Sequence, residues 1–371
     1  MYALASLSVL GAWLLADDLR HRASAWRWCA LAVLTGATLL THYWAFYVAG
    51  AAVVVLGFRW WRSGARDEAV RIGSSLAAGA VLFIPWVPSF VDQLTSTGTP
   101  WATAGRPASA VVELTTGLGG GSHGEGPVFG WTILVLGALG LFAVAETRRA
   151  SRLDLTGVVG ARGEAAMVVL TFALGIAAGV VTDAVFVARY AAVFVPLLLI
   201  VSGVGLARLP APWPRRVVGA VVLAGAGAGI VVNVIDDRTQ GEQAGELIAT
   251  AGTPEDLVVF CPDQLGPATL RALPPDFEAA AVPTLTRPDR IDWTDYADRN
   301  RAIDPAIMGR AILERADGRR IWYVFATSYR TYEGVCDGVA GVLDTARPVN
   351  DVVVHPDPDV FEPMTVRRFD P

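Results

Sequence analysis

Long apolar stretches separated by short polar connectors fill the first 235 residues of the chain. A helix needs roughly 20 apolar residues to cross the hydrocarbon core of a membrane. Met1–Ala16 is apolar but short, and Trp28–Phe58 is too long for one crossing and short for two. Five further stretches approach or meet the required length: Ile72–Val91, Val128–Ala145, Ala165–Thr182, Tyr190–Ala207 and Val217–Ile235.

Arginine placement predicts how these stretches cross the membrane. Cytoplasmic loops collect Arg because translocating it is costly. If the Arg-rich connectors are all cytoplasmic, Trp28–Phe58 crosses twice, as a tight hairpin with its outer tip near Thr41, His42 and Tyr43. The other stretches then alternate without conflict, which predicts a polytopic α-helical membrane protein with about eight transmembrane helices. The Arg-rich connectors are Asp17–Arg27, Arg59–Arg71, Glu146–Arg162 and Arg208–Arg216.

From Asp236 onward the sequence becomes charged and proline-rich, with short alternating patterns. Three short runs are typical of strands: Leu257–Phe260, Ile321–Ala326 and Asp351–Val354. Helical periodicity lies between them over three stretches: Ala244–Ala251, Pro305–Ala316 and Gly334–Thr345. We therefore predict a transmembrane region over residues 1–235 and an α/β domain over residues 236–371. The topology above makes this C-terminal α/β domain extracytoplasmic.

The three cysteines have different settings. Cys29 falls within an apolar stretch and is interpreted as a small apolar filler. Cys261 ends the first predicted strand of the outer domain and Cys336 follows the second. Because thiols outside the cytoplasm tend to oxidise, we predict a Cys261–Cys336 disulfide; the alternative is two unrelated free thiols.

Composition and charge agree with a membrane location and exclude one class of partner. The chain is 53% hydrophobic and 18% charged, with a mean hydropathy of +0.44, whereas soluble proteins average about 25% charged residues. All 30 basic residues are Arg; residues 1–235 carry a net charge of +5 and residues 236–371 one of −10. This balance offers no basic stripe for nucleic acid, so membrane lipid is the expected partner and nucleic acid is not.

Motifs for nucleotide hydrolysis or zinc proteolysis are absent, since the sequence has no Walker A loop, no paired CxxC and no HExxH. No acidic residue falls near the middle of a predicted span, where ion-coupled transporters usually place one. The polar candidates cluster instead at the predicted outer interface, which suits a substrate held in lipid and modified from outside. These candidates are His42, Asp92, Glu113, Asp183 and Arg189.

Two of these candidates admit a functional and a structural interpretation. Arg189 opens an otherwise apolar span next to Tyr190, and its guanidinium could pair bidentately with a lipid phosphate or pyrophosphate. It could equally be an interfacial Arg that extends to the headgroups beside an aromatic anchor. His42 could contact the phosphate or an acceptor, or it could hydrogen-bond within the hairpin turn.

Several short motifs resemble the later helices of GT-C membrane glycosyltransferases, nearest to the bacterial family-39 type that is related to protein O-mannosyltransferases. The resemblance covers most of the chain. It also extends to the first residues, Met1-Tyr2-Ala3-Leu4, and to the opening of the outer domain at Leu257–Leu265. The helix motifs are Thr41-His42-Tyr43, Ile84-Pro85-Trp86, and Arg189-Tyr190 followed by Pro196.

The resemblance implies transfer of a sugar from a polyprenyl-phosphate donor to an extracytoplasmic acceptor, with inversion at the anomeric carbon. It implies a hexosyltransferase of the plasma membrane and cell envelope, with mannose as the family-level expectation. Cationic groups or a divalent metal, Mg²⁺ or Mn²⁺, would neutralise the departing phosphate. The substrate-binding residues implied here are His42, Tyr43, Arg189 and Tyr190.

The family carries its catalytic acid in a first outer loop upstream of the helix that begins this sequence. No residue matches that position, and we assign the role to neither Asp92 nor Glu113. The first apolar stretch also lacks the basic segment that opens a secretory signal, so we expect the protein to start upstream of Met1; the alternative is an unusual minimal form. Whether the sequence as written is active stays open. The alternative function is a non-catalytic membrane protein whose outer domain binds glycan, lipid or a protein partner.

Overall fold

The computed structural model describes residues 1–97, 106–121, 126–145, 147, 151–154, 161–182 and 184–371. The chain divides into two compact units. Unit 1 comprises Met1–Val91 and Thr103–Val234, and unit 2 comprises Asp92–Ala102 and Ile235–Pro371.

Unit 1 is built from helices. A short antiparallel ribbon, β1 (Ala143–Ala145) and β2 (Ser151–Leu153), follows α7. A one-turn 3-10 helix lies at Ile84–Trp86, and a two-turn 3-10 helix lies at Ala188–Val193. The α-helices are α1 (Tyr2–His21), α2 (Ala25–Thr41), α3 (Ala45–Ser63), α4 (Arg66–Val81), α5 (Val87–Ser96), α6 (Pro107–Leu118), α7 (Gly126–Phe142), α8 (Arg162–Thr182), α9 (Val195–Arg208) and α10 (Pro212–Ile235).

Four helical segments in the described part of the chain are long and apolar enough to cross a membrane: Tyr2–His21, Arg66–Ser96, Arg162–Thr182 and Pro212–Ile235. Two apolar helices, Gly126–Phe142 and Val195–Arg208, are shorter. The protein is therefore a helical membrane protein. The predicted break near His42 is confirmed, since α2 ends at Thr41 and α3 begins at Ala45.

Glycines allow the helices of unit 1 to approach closely. A Cβ added at Gly140 of α7 would lie 2.0 Å from the Val201 carbonyl oxygen of α9. One added at Gly205 of α9 would lie 1.8 Å from the Leu136 carbonyl oxygen of α7. Helix association in lipid depends on such close packing because lipid chains are as apolar as the side chains they replace.

At one end of the bundle, arginines are neutralised by a half-buried acid. The Glu68 carboxylate lies 3.2 Å from Arg20 and 3.0 Å from Arg59. Arg71 donates to the Arg20 carbonyl at 3.1 Å. The Arg-rich connectors after α1 and α3 therefore form one ionic cluster with the start of α4.

Unit 2 is an α/β unit with a five-stranded sheet in the order β4-β3-β5-β7-β6. The strands β4, β3 and β5 are parallel, and β7 is antiparallel to both β5 and β6. The strands are β3 (Leu257–Cys261), β4 (Glu278–Ala281), β5 (Ile321–Phe325), β6 (Asn350–Val354) and β7 (Thr365–Phe369). The helices are α11 (Gly241–Ala251), α12 (Gly266–Thr269), α13 (Tyr296–Arg301), α14 (Pro305–Ala316) and α15 (Val335–Ala346).

Every residue of β3 and β5 is buried, because helices cover both faces of these central strands. The three predicted strands of this region are confirmed as β3, β5 and β6. The sequence did not reveal β4, which is short and alanine-rich, or β7. In β7, Arg367 pairs with Asp344 and Arg368 pairs with Asp351, so its charged residues are held by partners on α15 and β6.

Candidate functional site

The 3-10 helix Ala188–Val193 carries the two most distinctive predicted site residues. Its second half is anchored in the core of unit 1, where Ala191, Val193 and Phe194 are buried. Pro196 follows in the first turn of α9. A backbone N–H at that position would have no acceptor within the helix, so proline loses no hydrogen bond there. Arg189 and Tyr190 therefore lie in a segment whose C-terminal half is buried in the core of unit 1.

His42 lies in the break between α2 and α3 and is only 8% exposed. The backbone N–H of Trp44 donates to Nδ1 of His42 at 3.1 Å. Since Nδ1 accepts, the proton of the neutral ring resides on Nε2. The ring centroid lies 5.3 Å from that of Tyr2 and 5.6 Å from that of Tyr190. His42 therefore both shapes the turn and links α1 to the 3-10 helix.

Trp44 completes the contacts around Tyr190. Its ring centroid lies 5.7 Å from that of Tyr190 and 5.2 Å from that of Phe186. A Cβ added at Gly175 of α8 would lie 2.4 Å from the Trp44 ring, so the absent side chain makes room for the indole. The result is an aromatic cluster drawn from α1, the turn between α2 and α3, and the segment between α8 and α9. We call Tyr2, His42, Trp44, Phe186 and Tyr190 the aromatic cluster.

Arg189 extends from the edge of the aromatic cluster. Its side chain is exposed, and its guanidinium carbon lies 5.9 Å from the centroid of the Tyr190 ring. Among the residues that the structure describes, no ion pair includes Arg189. The guanidinium can therefore offer its planar set of N–H donors to an anion, and that geometry matches a phosphate.

Tyr43 is placed in a different cluster from the other three predicted binding residues. Its hydroxyl accepts a hydrogen bond from the Trp86 indole at 3.0 Å. Its ring centroid lies 4.9 Å from that of Phe90 and 6.4 Å from that of Phe83. Tyr43 thus joins the turn of the Ile84-Pro85-Trp86 motif to the hairpin, and it takes no part in the aromatic cluster.

The remaining polar candidates have separate positions. Glu113 of α6 accepts a hydrogen bond at 3.1 Å from the backbone N–H of Ala188, the residue before Arg189. Asp92 is exposed and belongs to unit 2. Asp183 lies outside the described residues. Sequence reasoning missed Tyr2 and Trp44; the only signal was the presence of aromatic residues next to the predicted hairpin tip and the start of the first apolar stretch.

An apolar cavity of about 90 Å³ lies between the helices of unit 1. Its lining contains none of His42, Arg189 and Tyr190. Arg20 is the charged residue in its lining, which otherwise includes Val9, Trp13, Leu31, Val48 and Met167. The cavity is therefore distinct from the aromatic cluster.

The predicted disulfide is confirmed. Cys261 at the end of β3 is bonded to Cys336 at the start of α15, and both are buried in one core cluster of unit 2. Cys29 is free and exposed on α2. Disulfides form and persist mainly in oxidising compartments.

The side chains of the described residues do not form a metal site. In this part of the chain no three His, Cys, Asp or Glu side chains lie close enough together to hold an ion. Mg²⁺ and Mn²⁺ require several oxygen ligands. The donor groups described around Arg189 fit an anion, and the expected divalent metal stays a prediction.

No protein-family profile, curated protein or solved structure matches the chain. The class of protein rests on the structure itself, which is that of a helical membrane protein.

Proposed function

We propose that the protein is a membrane glycosyltransferase that moves a sugar, as a hexosyltransferase, from a polyprenyl-phosphate donor to an extracytoplasmic acceptor. One observation carries the proposal. The adjacent residues Arg189 and Tyr190, which precede α9, converge with His42, which follows α2 and lies far from them in the sequence. The guanidinium among them has no acidic partner in the described part of the chain.

The chemistry of this group suits the phosphate of a lipid-linked sugar. When the glycosidic bond breaks, negative charge grows on the departing phosphate. Donors held in place before the reaction stabilise that charge at little reorganisation cost. Arg189 supplies a bidentate cation, and His42 supplies an N–H from Nε2 because its Nδ1 is engaged with Trp44. The partly buried rings of Tyr2, Trp44 and Tyr190 give the isoprenoid end an apolar surface.

The proposal includes a topology. Eight helices cross the plasma membrane in it, α1 to α4 and α7 to α10, with the ends that carry His42 and Arg189 on the outer side. The ionic cluster around Glu68 then lies on the cytoplasmic side, as the preference of Arg for that side favours. Unit 2 is extracytoplasmic, and its disulfide supports that placement.

The test is binding of a polyprenyl monophosphate to the full chain in lipid nanodiscs, measured by native mass spectrometry. Charge-assisted hydrogen bonds contribute about 1.5–3 kcal/mol each, so Arg189→Ala is expected to weaken binding about tenfold to a hundredfold. Arg106→Ala is the matched control, because Arg106 is also an exposed Arg of unit 1. Equal affinity in the two variants would exclude Arg189 from phosphate binding.

Transfer itself is assayed with a radiolabelled polyprenyl-phosphate hexose and a membrane fraction as the acceptor source. Transfer that is lost in Arg189→Ala and kept in Arg106→Ala supports the enzyme. Binding of the lipid phosphate without transfer by the wild-type chain would instead favour the non-catalytic binding protein.

A further inference from the structure

A carboxylate from a separate helix holds the segment that carries Arg189. Glu113 of α6 accepts a hydrogen bond from the Ala188 backbone N–H at 3.1 Å, across 75 residues of sequence. Ala188 is the first residue of the 3-10 helix. The residue before it, Val187, makes no side-chain capping hydrogen bond. The first N–H groups of a helix have no acceptor within the helix. Glu113 supplies the missing acceptor.

The same face of α6 makes a second contact with this residue. Gly117 lies one helical turn after Glu113, and a Cβ added there would lie 2.1 Å from the Cβ of Ala188. Only glycine on one side and a small residue on the other allow this approach. The distance between α6 and the 3-10 helix is therefore set by the backbones, which keeps the carboxylate of Glu113 within reach of the amide.

The far end of the 3-10 helix is held from another direction. The hydroxyl of Ser6 in α1 donates to the Ala192 carbonyl at 2.7 Å. Ala191 and Val193 pack in a core cluster with Ala110 and Leu114 of α6. Both ends of the segment are thus fixed, and Arg189 and Tyr190 lie between the two attachments.

The carboxylate of Glu113 hydrogen-bonds a backbone N–H and forms no ion pair with Arg189. Both residues are described, and no ion pair between them is among the salt bridges of the described chain. An acid that paired with the guanidinium would compete with a phosphate for the same N–H groups. Glu113 instead gives one oxygen to Ala188 and leaves the Arg189 donors to a ligand.

We propose that Glu113 is a positioning residue: its bond to the Ala188 N–H orients the Ala188–Tyr190 backbone so that Arg189 and Tyr190 meet the donor phosphate. This inference rests on the proposed function for its ligand. The bond itself requires only an acceptor oxygen. Gln at this position is therefore expected to preserve it, whereas Ala removes it.

Two readouts on the full chain in nanodiscs test the inference. Hydrogen exchange followed by mass spectrometry reports the Ala188–Tyr190 amides, and native mass spectrometry reports binding of polyprenyl monophosphate. Glu113→Ala is expected to raise exchange of these amides and to weaken lipid binding about tenfold. Glu113→Gln is expected to match the wild type in both. Val112→Ala, an exposed neighbour on the same helix, is the control.

A second variant reaches the same segment without touching Glu113. Gly117→Val would push Ala188 away from α6, and we expect it to raise exchange and weaken lipid binding as Glu113→Ala does. Unchanged exchange in Glu113→Ala overturns the inference, as does a Glu113→Gln variant as defective as Glu113→Ala, since the charge and not the position would then matter. If Arg189→Ala leaves lipid binding unchanged, the proposed function fails, and the exchange data alone decide whether Glu113 holds the segment.

Discussion

Asp263 illustrates how one buried acid is accommodated in unit 2. It follows β3 and Pro262 and is 9% exposed. The hydroxyl of Tyr296 donates to its carboxylate at 2.5 Å, and that of Tyr332 does so at 3.4 Å. Burial raises the pKa of this carboxyl, although the two hydroxyl donors and Arg299 oppose the shift. The folded protein therefore keeps the proton on Asp263 to a higher pH than an exposed Asp would.

The raised pKa predicts how the stability of unit 2 depends on pH. The contribution of Asp263 is fully present below the ordinary Asp pKa of 3.8. It is lost as pH rises through the higher pKa of the folded state, because the unfolded chain then releases the proton more readily. Asp263→Asn is expected to flatten this fall in the free energy of unfolding. Pulse proteolysis in urea between pH 4 and 7, with fragments of residues 236–371 quantified by mass spectrometry, measures it.

Asp359→Asn provides the control for that experiment because Asp359 is an exposed Asp of the same unit. Its profile is expected to follow the wild type, since an exposed carboxyl has little desolvation to lose. An Asp263→Asn profile parallel to the wild type would show that Asp263 does not govern the pH dependence.

Helices α7 and α9 illustrate packing at the scale of elements. Gly140 and Gly205 face backbone carbonyl oxygens of the opposite helix, and neither oxygen can rotate away as a side chain could. Small residues at helix contacts let backbones approach, and the resulting dispersion contacts replace the hydrophobic drive that lipid does not supply. The pair is connected to the candidate site, because α9 begins directly after the segment with Arg189 and Tyr190.

Gly205→Ala is therefore expected to destabilise unit 1. Its Cβ would lie 1.8 Å from the Leu136 carbonyl oxygen, so the helices must separate. Overpacking of this kind costs about 1–3 kcal/mol. Thermal unfolding of the detergent-solubilised chain measures the effect. Gly203→Ala is the matched control on the same helix, since its Cβ meets no atom within 4 Å; equal melting temperatures for the two variants would refute the packing argument.

At the scale of the whole molecule, each unit carries one feature that bears on its side of the membrane. Arginines and the half-buried Glu68 form an ionic cluster in unit 1. The disulfide lies in unit 2. Arg favours the cytoplasmic side of a membrane, and disulfides persist outside the cytoplasm. In the proposed topology the chain crosses the membrane an odd number of times between the connector after α3 and unit 2. The ionic cluster and the disulfide then lie on opposite sides, which satisfies both preferences.

This topology predicts opposite labelling of two introduced thiols. In a Cys29→Ala background, Thr294→Cys is expected to react with a membrane-impermeant maleimide in intact cells. Ser63→Cys is expected to react only after permeabilisation. Both side chains are exposed in the structure, and the remaining cysteines are joined in the disulfide. Labelling of both thiols in intact cells, or of neither, would contradict the assigned number of crossings.

The sequence by itself determined the features that depend on local composition. Apolar stretches predicted membrane helices, and the parity of the Arg-rich connectors predicted the break at His42. Alternating and buried runs predicted β3, β5 and β6. The compartment implied by that topology predicted the disulfide. These inferences succeed because transfer of a segment from water to lipid, or into a sheet, depends mainly on the residues of that segment.

Only the tertiary structure decided which residues meet. It brought Tyr2 and Trp44 to His42 and Tyr190, and it placed Tyr43, adjacent to His42 in the chain, against Trp86 instead. It seated Glu113 on the amide of Ala188. It also inserted β4 and β7 into the sheet, where short or charged strands are stabilised by their neighbours. The physical reason is that each of these contacts depends on packing between segments distant in sequence, about which neither hydropathy nor periodicity carries information.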